Sequence, residues 1–202
     1  MKLYYAPGAC SLAAHIAFRE LNLPVELVQV DLKTHRLADG TDYYTINPKG
    51  YVPVIVLDNG ELLTEAAAIL QYLGDRKPGL LAAAGTMERY RTIEWLTFVS
   101  SELHKGFAPL WHPETPQATK KTQLDRLYKH FALLDKHFAD HDFLLGDNFT
   151  VADAYAYAIL NWSHFLKVDL APWKHVRAYM HRVAARPRVQ AALRAENPPV
   201  AA

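Results

Sequence analysis

With 202 residues, 50% of them hydrophobic and 21% charged, the chain has the composition of a globular protein of one large or two small domains. Twenty-two Lys and Arg against 21 Asp and Glu leave a formal net charge of +1, and no block of like charges stands out, so neither a nucleic-acid nor an anionic-membrane surface is expected. No apolar run approaches the ~20 residues of a membrane span, and the opening Met1–Gly8 breaks too early for a signal-peptide core, which places the chain in the cytoplasm. The single Cys10 excludes an intramolecular disulfide framework, a Cys-only zinc site and a Cys-x-x-Cys redox pair.

The first 77 residues mix strand and helix patterns. Lys2–Tyr5 reads as a strand, Pro7-Gly8 as a turn, and Ser11–Asn22 as a helix through Leu12, Ile16, Ala17 and Leu21. Glu26–Val30 is a second strand, and Thr34–Ile46 is polar and ambiguous. Val54–Leu57 and Glu61–Leu63, joined at Asn59-Gly60, predict a hairpin closed by a two-residue turn. Thr64 is placed to N-cap a helix over Glu65–Leu73. Residues 78–85, with Pro78, Gly79, Gly85 and three alanines, read as a linker.

From residue 86 to 202 only helical periodicity remains. It predicts helices over Thr86–Ala108, Gln117–Ala139, Val151–Leu166, Trp173–Ala185 and Arg188–Ala195, with Pro198-Pro199 ending the ordered chain. Thr150 followed by Asp153 is a capping-box variant at the start of the third.

Cys10 lies between a strand and a helix. The helix N-terminus favours thiolate, predicting a pKa below the ordinary ~8.5; the alternative is a small buried hydrophobe. Val52-Pro53 opens a strand. A cis bond there could turn the Val52 backbone toward an extended peptide-like ligand, whereas an edge-strand proline would only blunt the sheet. Glu65 and the Ala66 N–H could grip an amino-acid end, or Glu65 could simply stabilise its helix. Thr97, Ser101, His104 and Lys105 form a polar stripe at helical spacing, read either as solvated surface or as donors toward a thiolate or carboxylate. No histidine pair has a metal-ligand setting, so no metal is expected. No phosphate loop or nucleophile elbow is present.

Six stretches run in order over essentially the whole chain: Met1–Leu12, Asn47–Pro53, Leu63-Thr64-Glu65, Glu94-Trp95-Leu96, Glu102–Phe107 and Phe149–Tyr155. Together they resemble the bacterial beta-class glutathione S-transferases. The resemblance implies an α/β thioredoxin-like N-terminal domain (1–77), a linker (78–85) and an all-α C-terminal domain (86–202). It also implies a homodimer, with glutathione extended across the cleft. Catalysis is then expected to centre on Cys10, which can hold glutathione as a mixed disulfide, and on His104. His35, Val52, cis-Pro53, Glu65, Ala66, Thr97, Ser101, Glu102, Leu103, His104 and Lys105 border glutathione or the second subunit.

Three positions depart from the family pattern. His35 stands where Lys is usual for the glycyl carboxylate, so affinity is expected to weaken from mildly acidic to neutral pH. Thr97 stands for Asn, and Ala66 for Gly or Ser. Phe107, Leu110, Trp111 and Trp162 are candidates for an apolar electrophile pocket or for core. Tyr5 and Ser11 are the local hydroxyl candidates for a thiolate donor.

The expected activity is conjugation of the glutathione thiolate to small apolar electrophiles, a detoxifying reaction. The alternatives are a glutathione-dependent thiol–disulfide oxidoreductase or peroxidase acting through a Cys10 mixed disulfide, and a non-catalytic carrier of apolar ligands.

Overall fold

Alternating burial organises the first strand, β1 (Lys2–Tyr5): Leu3 and Tyr5 join the large core on one face of the sheet, and Tyr4 joins a smaller cluster on the other. The structure, a computed structural model, describes residues 1–196; the expected stop at Pro198-Pro199 lies outside the described residues. β1 leads into α1 (Leu12–Glu20), β2 (Glu26–Asp31) and β3 (Arg36–Leu37). A 3₁₀ turn, Tyr43–Thr45, precedes β4 (Val54–Val56) and β5 (Leu62–Thr64), and α2 (Ala66–Arg76) closes the unit. The sheet order is β3-β2-β1-β4-β5. β1 pairs parallel with β2 and antiparallel with β4, while β4–β5 and β2–β3 are antiparallel. This is the thioredoxin-like arrangement of a mixed sheet with helices.

The hairpin forms, but its turn differs from expectation. Leu57 N–H donates to Glu61 O (2.8 Å) and Gly60 N–H to Leu57 O (3.0 Å), so three residues, Asp58–Gly60, make the loop. Gly60 sits at φ 85°, the left-handed position this loop requires. Thr64 ends β5 and does not cap α2. Glu65 takes the N-cap position at φ 67°, ψ 119°, with no side-chain cap.

The helical region comprises α3 (Met87–Phe98), α4 (Lys105–Trp111), α5 (Gln117–His137), α6 (Val151–Leu160), α7 (Trp162–Phe165), α8 (Lys174–Ala184) and α9 (Pro187–Glu196). The single helix expected over Thr86–Ala108 is interrupted: Val99–His104 is π-helical and connects α3 to α4. Just beyond it, Gly106 lets Leu127 of α5 pack where a Cβ would come within 2.8 Å. The helix expected over Val151–Leu166 likewise breaks at Asn161. Every residue of α6 is buried, so it is the central helix, apolar all round. Its capping box is complete. Asp153 Oδ2 accepts from Thr150 N–H (2.8 Å) and Oγ1–H (2.9 Å), and Oδ1 accepts from Leu144 N–H (2.9 Å).

α1 joins the two regions. It packs against α2 on one side and against α6 and α9 on the other. Buried His15 of α1 lies with Nδ1 2.9 Å from Glu196 Oε1 of α9, and its Nε2 accepts from Arg19 Nε (3.1 Å). An Nε2 that accepts leaves the ring proton on Nδ1, where it serves Glu196. Between α2 and α3, Arg89 grips Asp75 through two bonds (2.7 and 3.0 Å) and the Ala82 carbonyl (3.2 Å), holding the connecting segment. No helix among the described residues is long and apolar enough to cross a membrane.

Candidate active site

Cys10 is presented by a tight turn between β1 and α1. Ala9 N–H returns to Ala6 O (3.1 Å), and Ser11 Oγ both accepts from Ala6 N–H (3.2 Å) and donates to Ala6 O (3.3 Å). Ser11 is thereby committed to the turn. Gly8, at φ 71°, has both peptide groups held by the helical region: its N–H donates to Glu196 Oε2 (3.1 Å) and its carbonyl accepts from Trp162 Nε1 (2.9 Å). Tyr5 packs beside His15 at a ring separation of 6.3 Å, and burial together with the Glu196 charge raises its pKa. Neither hydroxyl is placed as a thiolate donor to Cys10.

The Cys10 thiol is 8% exposed and donates to Val52 O at 3.1 Å. Burial pushes it up to about 12, and the Glu65 charge adds to this; the α1 backbone N–H groups and Lys105 pull the other way and lose. The expected depressed pKa is therefore corrected. The helix terminus does favour thiolate, but desolvation outweighs it in the free chain.

The Val52–Pro53 bond is cis. The preceding carbonyl, Tyr51 O, is anchored by Tyr43 Oη (2.9 Å) and Asn47 Nδ2 (2.8 Å). Val52 N–H has no acceptor among the described residues, and its carbonyl holds only the Cys10 thiol. A strand-like backbone edge thus lies beside the thiol. Tyr43 and Asn47, which set that edge, lie in or next to a stretch whose polarity hid them; Tyr43 is fully buried.

Glu65 is exposed at the α2 N-terminus and pairs with Lys49 Nζ (2.7 Å), which also reaches Thr64 Oγ1 (3.2 Å). Lys49 was not among the sequence candidates; its place in the Asn47–Pro53 run was the available signal. His35, at φ 52°, stacks on Tyr44 with ring centroids 4.6 Å apart, and its buried Nδ1 has no partner.

The polar stripe divides. Ser101 and Lys105 are exposed, as is Thr97, whose Oγ1 donates back to Ile93 O (2.8 Å). Glu102 turns instead to Arg126 and to His130 (3.3 Å) of α5. The Leu103 side chain is fully buried in the core. His104 Nδ1 lies 2.8 Å from Tyr155 Oη of α6, and burial and Lys105 together lower its pKa to about 4. At neutral pH it is an uncharged imidazole.

Beside it stands an aromatic group. Trp162 meets His104 edge-on at 4.9 Å and Trp111 at 5.5 Å. Trp111 is 44% exposed and Leu110 is half-buried. Phe107 is fully buried, 6.1 Å behind Trp162, so it backs an apolar surface without lining it. No cluster of three or more His, Cys, Asp or Glu suited to a metal ion occurs among the described residues.

Two family models match the chain: the glutathione S-transferase N-terminal domain over residues 8–76 and the glutathione S-transferase C-terminal domain over residues 98–187. Glutathione S-transferase GstA of Escherichia coli O157:H7 is 48% identical, across 98% of this chain and 99% of that protein. The structure of a sphingomonad glutathione S-transferase complexed with glutathione is similar at a TM-score of 0.94 and 45% identity, covering 98% of this chain and 99% of that one. A beta-class glutathione S-transferase structure from Sphingomonas chungbukensis aligns at a TM-score of 0.93 and 44% identity, covering 97% and 98%.

Proposed function

The chain belongs to the glutathione S-transferase family, in its bacterial beta class, and on that premise we propose how its cleft handles glutathione and an electrophile. The enzyme conjugates glutathione: the thiolate sulfur forms a bond to an electrophilic carbon, the leaving group departs with the electron pair, and the thiol proton passes to solvent. The unpartnered Val52 N–H carries the reading of the site. It would donate to the glutathione main chain, while a glutathione N–H takes over the Val52 carbonyl from Cys10.

Glu65 would take the glutathione ammonium in exchange for Lys49, and the Ala66 N–H at the α2 N-terminus its carboxylate. The unpartnered Nδ1 of His35 suits the glycyl carboxylate. His104 and Lys105 would face the sulfur, with Cys10 beneath it. Thr97 and Ser101 are exposed and free to meet a ligand or a second subunit; Glu102 would serve through its bonds to α5, and Leu103 through its backbone. A division into domains at 78–85, a homodimer and a cytoplasmic location complete the reading. The exposed Trp111, half-buried Leu110 and the Trp162 ring would receive an apolar electrophile.

The oxidoreductase alternative needs Cys10 as nucleophile. A thiol that is buried and held near pKa 12 is poorly suited to open the reaction in the free chain. Cys10→Ala separates the two: conjugation is expected to persist and any reduction of glutathione mixed disulfides to vanish. Loss of both activities would make the protein thiol obligatory. Intact mass after incubation with oxidised glutathione is expected to show an adduct on the wild type, removed by reductant and absent from Cys10→Ala. No adduct, no protection of Cys10 from alkylation and no retention on immobilised glutathione would together overturn the assignment of this cleft.

A further inference from the structure

His104 is a neutral ring whose two nitrogens have different partners. Nδ1 faces the Tyr155 phenol at 2.8 Å, and Nε2 has no partner among the described residues. A phenol can give or accept a proton, so the distance alone leaves the tautomer open. Its surroundings decide the direction. Tyr155 is 2% exposed, and burial raises its pKa well above the ordinary phenol value, so it keeps its proton. The Ser100 hydroxyl, on the π-helical segment, acts on the phenol oxygen as a hydrogen-bond donor. With that oxygen already receiving a proton from Ser100, the phenol's own O–H is free for His104. The charged or ionisable groups around the pair are Lys105 of α4, Glu65 at the α2 N-terminus and the Cys10 thiol.

We propose that Tyr155 is a positioning residue: by donating its phenol O–H to Nδ1 it fixes His104 as the Nε2–H tautomer, presenting a neutral N–H donor toward the site. The relay runs from Ser100 through Tyr155 to His104, joining the π-helical segment to α6 and back. It makes His104 a hydrogen-bond donor to a sulfur anion and not the base that removes the thiol proton, because the lone pair on Nδ1 is spent on Tyr155. A donor oriented before the reaction stabilises developing thiolate charge without reorganising. The link to the glutathione sulfur rests on the transferase reading above; the tautomer does not.

The test uses the full chain labelled with ¹⁵N-histidine, with the His104 signals assigned by His104→Gln. Long-range N–H correlation at neutral pH is expected to find Nδ1 unprotonated and Nε2 protonated. An Nδ1–H tautomer in the wild type overturns the proposal. Tyr155→Phe is expected to shift the tautomer population. It should also lower kcat for conjugation of an activated aryl chloride about tenfold, equivalent to ~1.4 kcal/mol of barrier, with KM for glutathione nearly unchanged. Unchanged tautomer and kcat in that variant also overturn it. Should Tyr155→Phe fail to fold, Ser100→Ala keeps the phenol and is expected to loosen the tautomer; a ring as uniform as the wild type's counts against the relay. Absence of any wild-type turnover would refute the transferase reading while the ring spectrum still judged the tautomer.

Discussion

The Trp162 indole N–H donates to the Gly8 carbonyl at 2.9 Å, across 154 residues of chain. With Glu196 on the Gly8 N–H (3.1 Å), it means that the turn presenting Cys10 is held by the helical region and not by its own sheet. Trp162→Phe keeps most of the ring and strips this buried carbonyl of its donor. A loss of about 1–3 kcal/mol is expected, read as a lower urea midpoint at unchanged slope. A midpoint within error of the wild type would show that the bond contributes nothing net.

The buried thiol makes a kinetic prediction. With Cys10 near pKa 12, only a small fraction is thiolate at neutral pH. The iodoacetamide reaction rate should therefore climb about tenfold per pH unit between 7 and 10, without a plateau. A plateau below pH 9 would mean that the helix terminus prevails over desolvation after all.

His104 predicts an acid-side loss of stability. Its native pKa of about 4 lies below the ordinary 6.5, so the unfolded chain binds the proton first. The stability is fully present above pH 6.5 and declines as pH falls toward 4, by up to about 3 kcal/mol. Asp153 works in the opposite direction. Its native value of about 6 lies above the ordinary carboxylate value, so protonation on going from pH 6 to 4 favours the folded chain. Urea midpoints of the wild type and His104→Gln should therefore converge or cross as pH falls from 6.5 to 4. A constant difference would contradict the burial of a neutral imidazole.

Glu65 is exposed and pairs only with Lys49, so replacing it should hardly affect the fold. Glu65→Gln is expected to change stability by less than about 0.5 kcal/mol and to raise KM for glutathione about tenfold or more, the effect of losing a bond to a charged group. Equal KM values would remove Glu65 from the ligand contacts.

What could be read from the sequence was local. The Thr150–Asp153 capping box and the placing of Cys10 between strand and helix each lie within a few residues, and each matches the structure. The Gly8 clamp could not be read this way, because Trp162 and Glu196 reach that turn only once the helices have packed. The thiol's pKa was misjudged for the same reason: the dipole is a property of one helix, whereas desolvation depends on everything packed around it. Glu102 looked like a member of the polar stripe because the periodicity assumed one continuous α-helix, and the π-helical segment leaves the apolar pattern too little altered to reveal itself.

That segment carries a consequence for chain length. A π-helical stretch holds surplus backbone relative to α-geometry. Removing one residue from 99–104 could let the helix run straight from α3 into α4, but everything beyond would rotate by about 100°, one residue's step. His104 would then swing off the Tyr155 hydroxyl, and Gly106 would no longer face Leu127. Val99–His104 therefore works as a length gauge: substitutions within it are judged one side chain at a time, whereas shortening it disconnects the glutathione cleft from the helix that supports it.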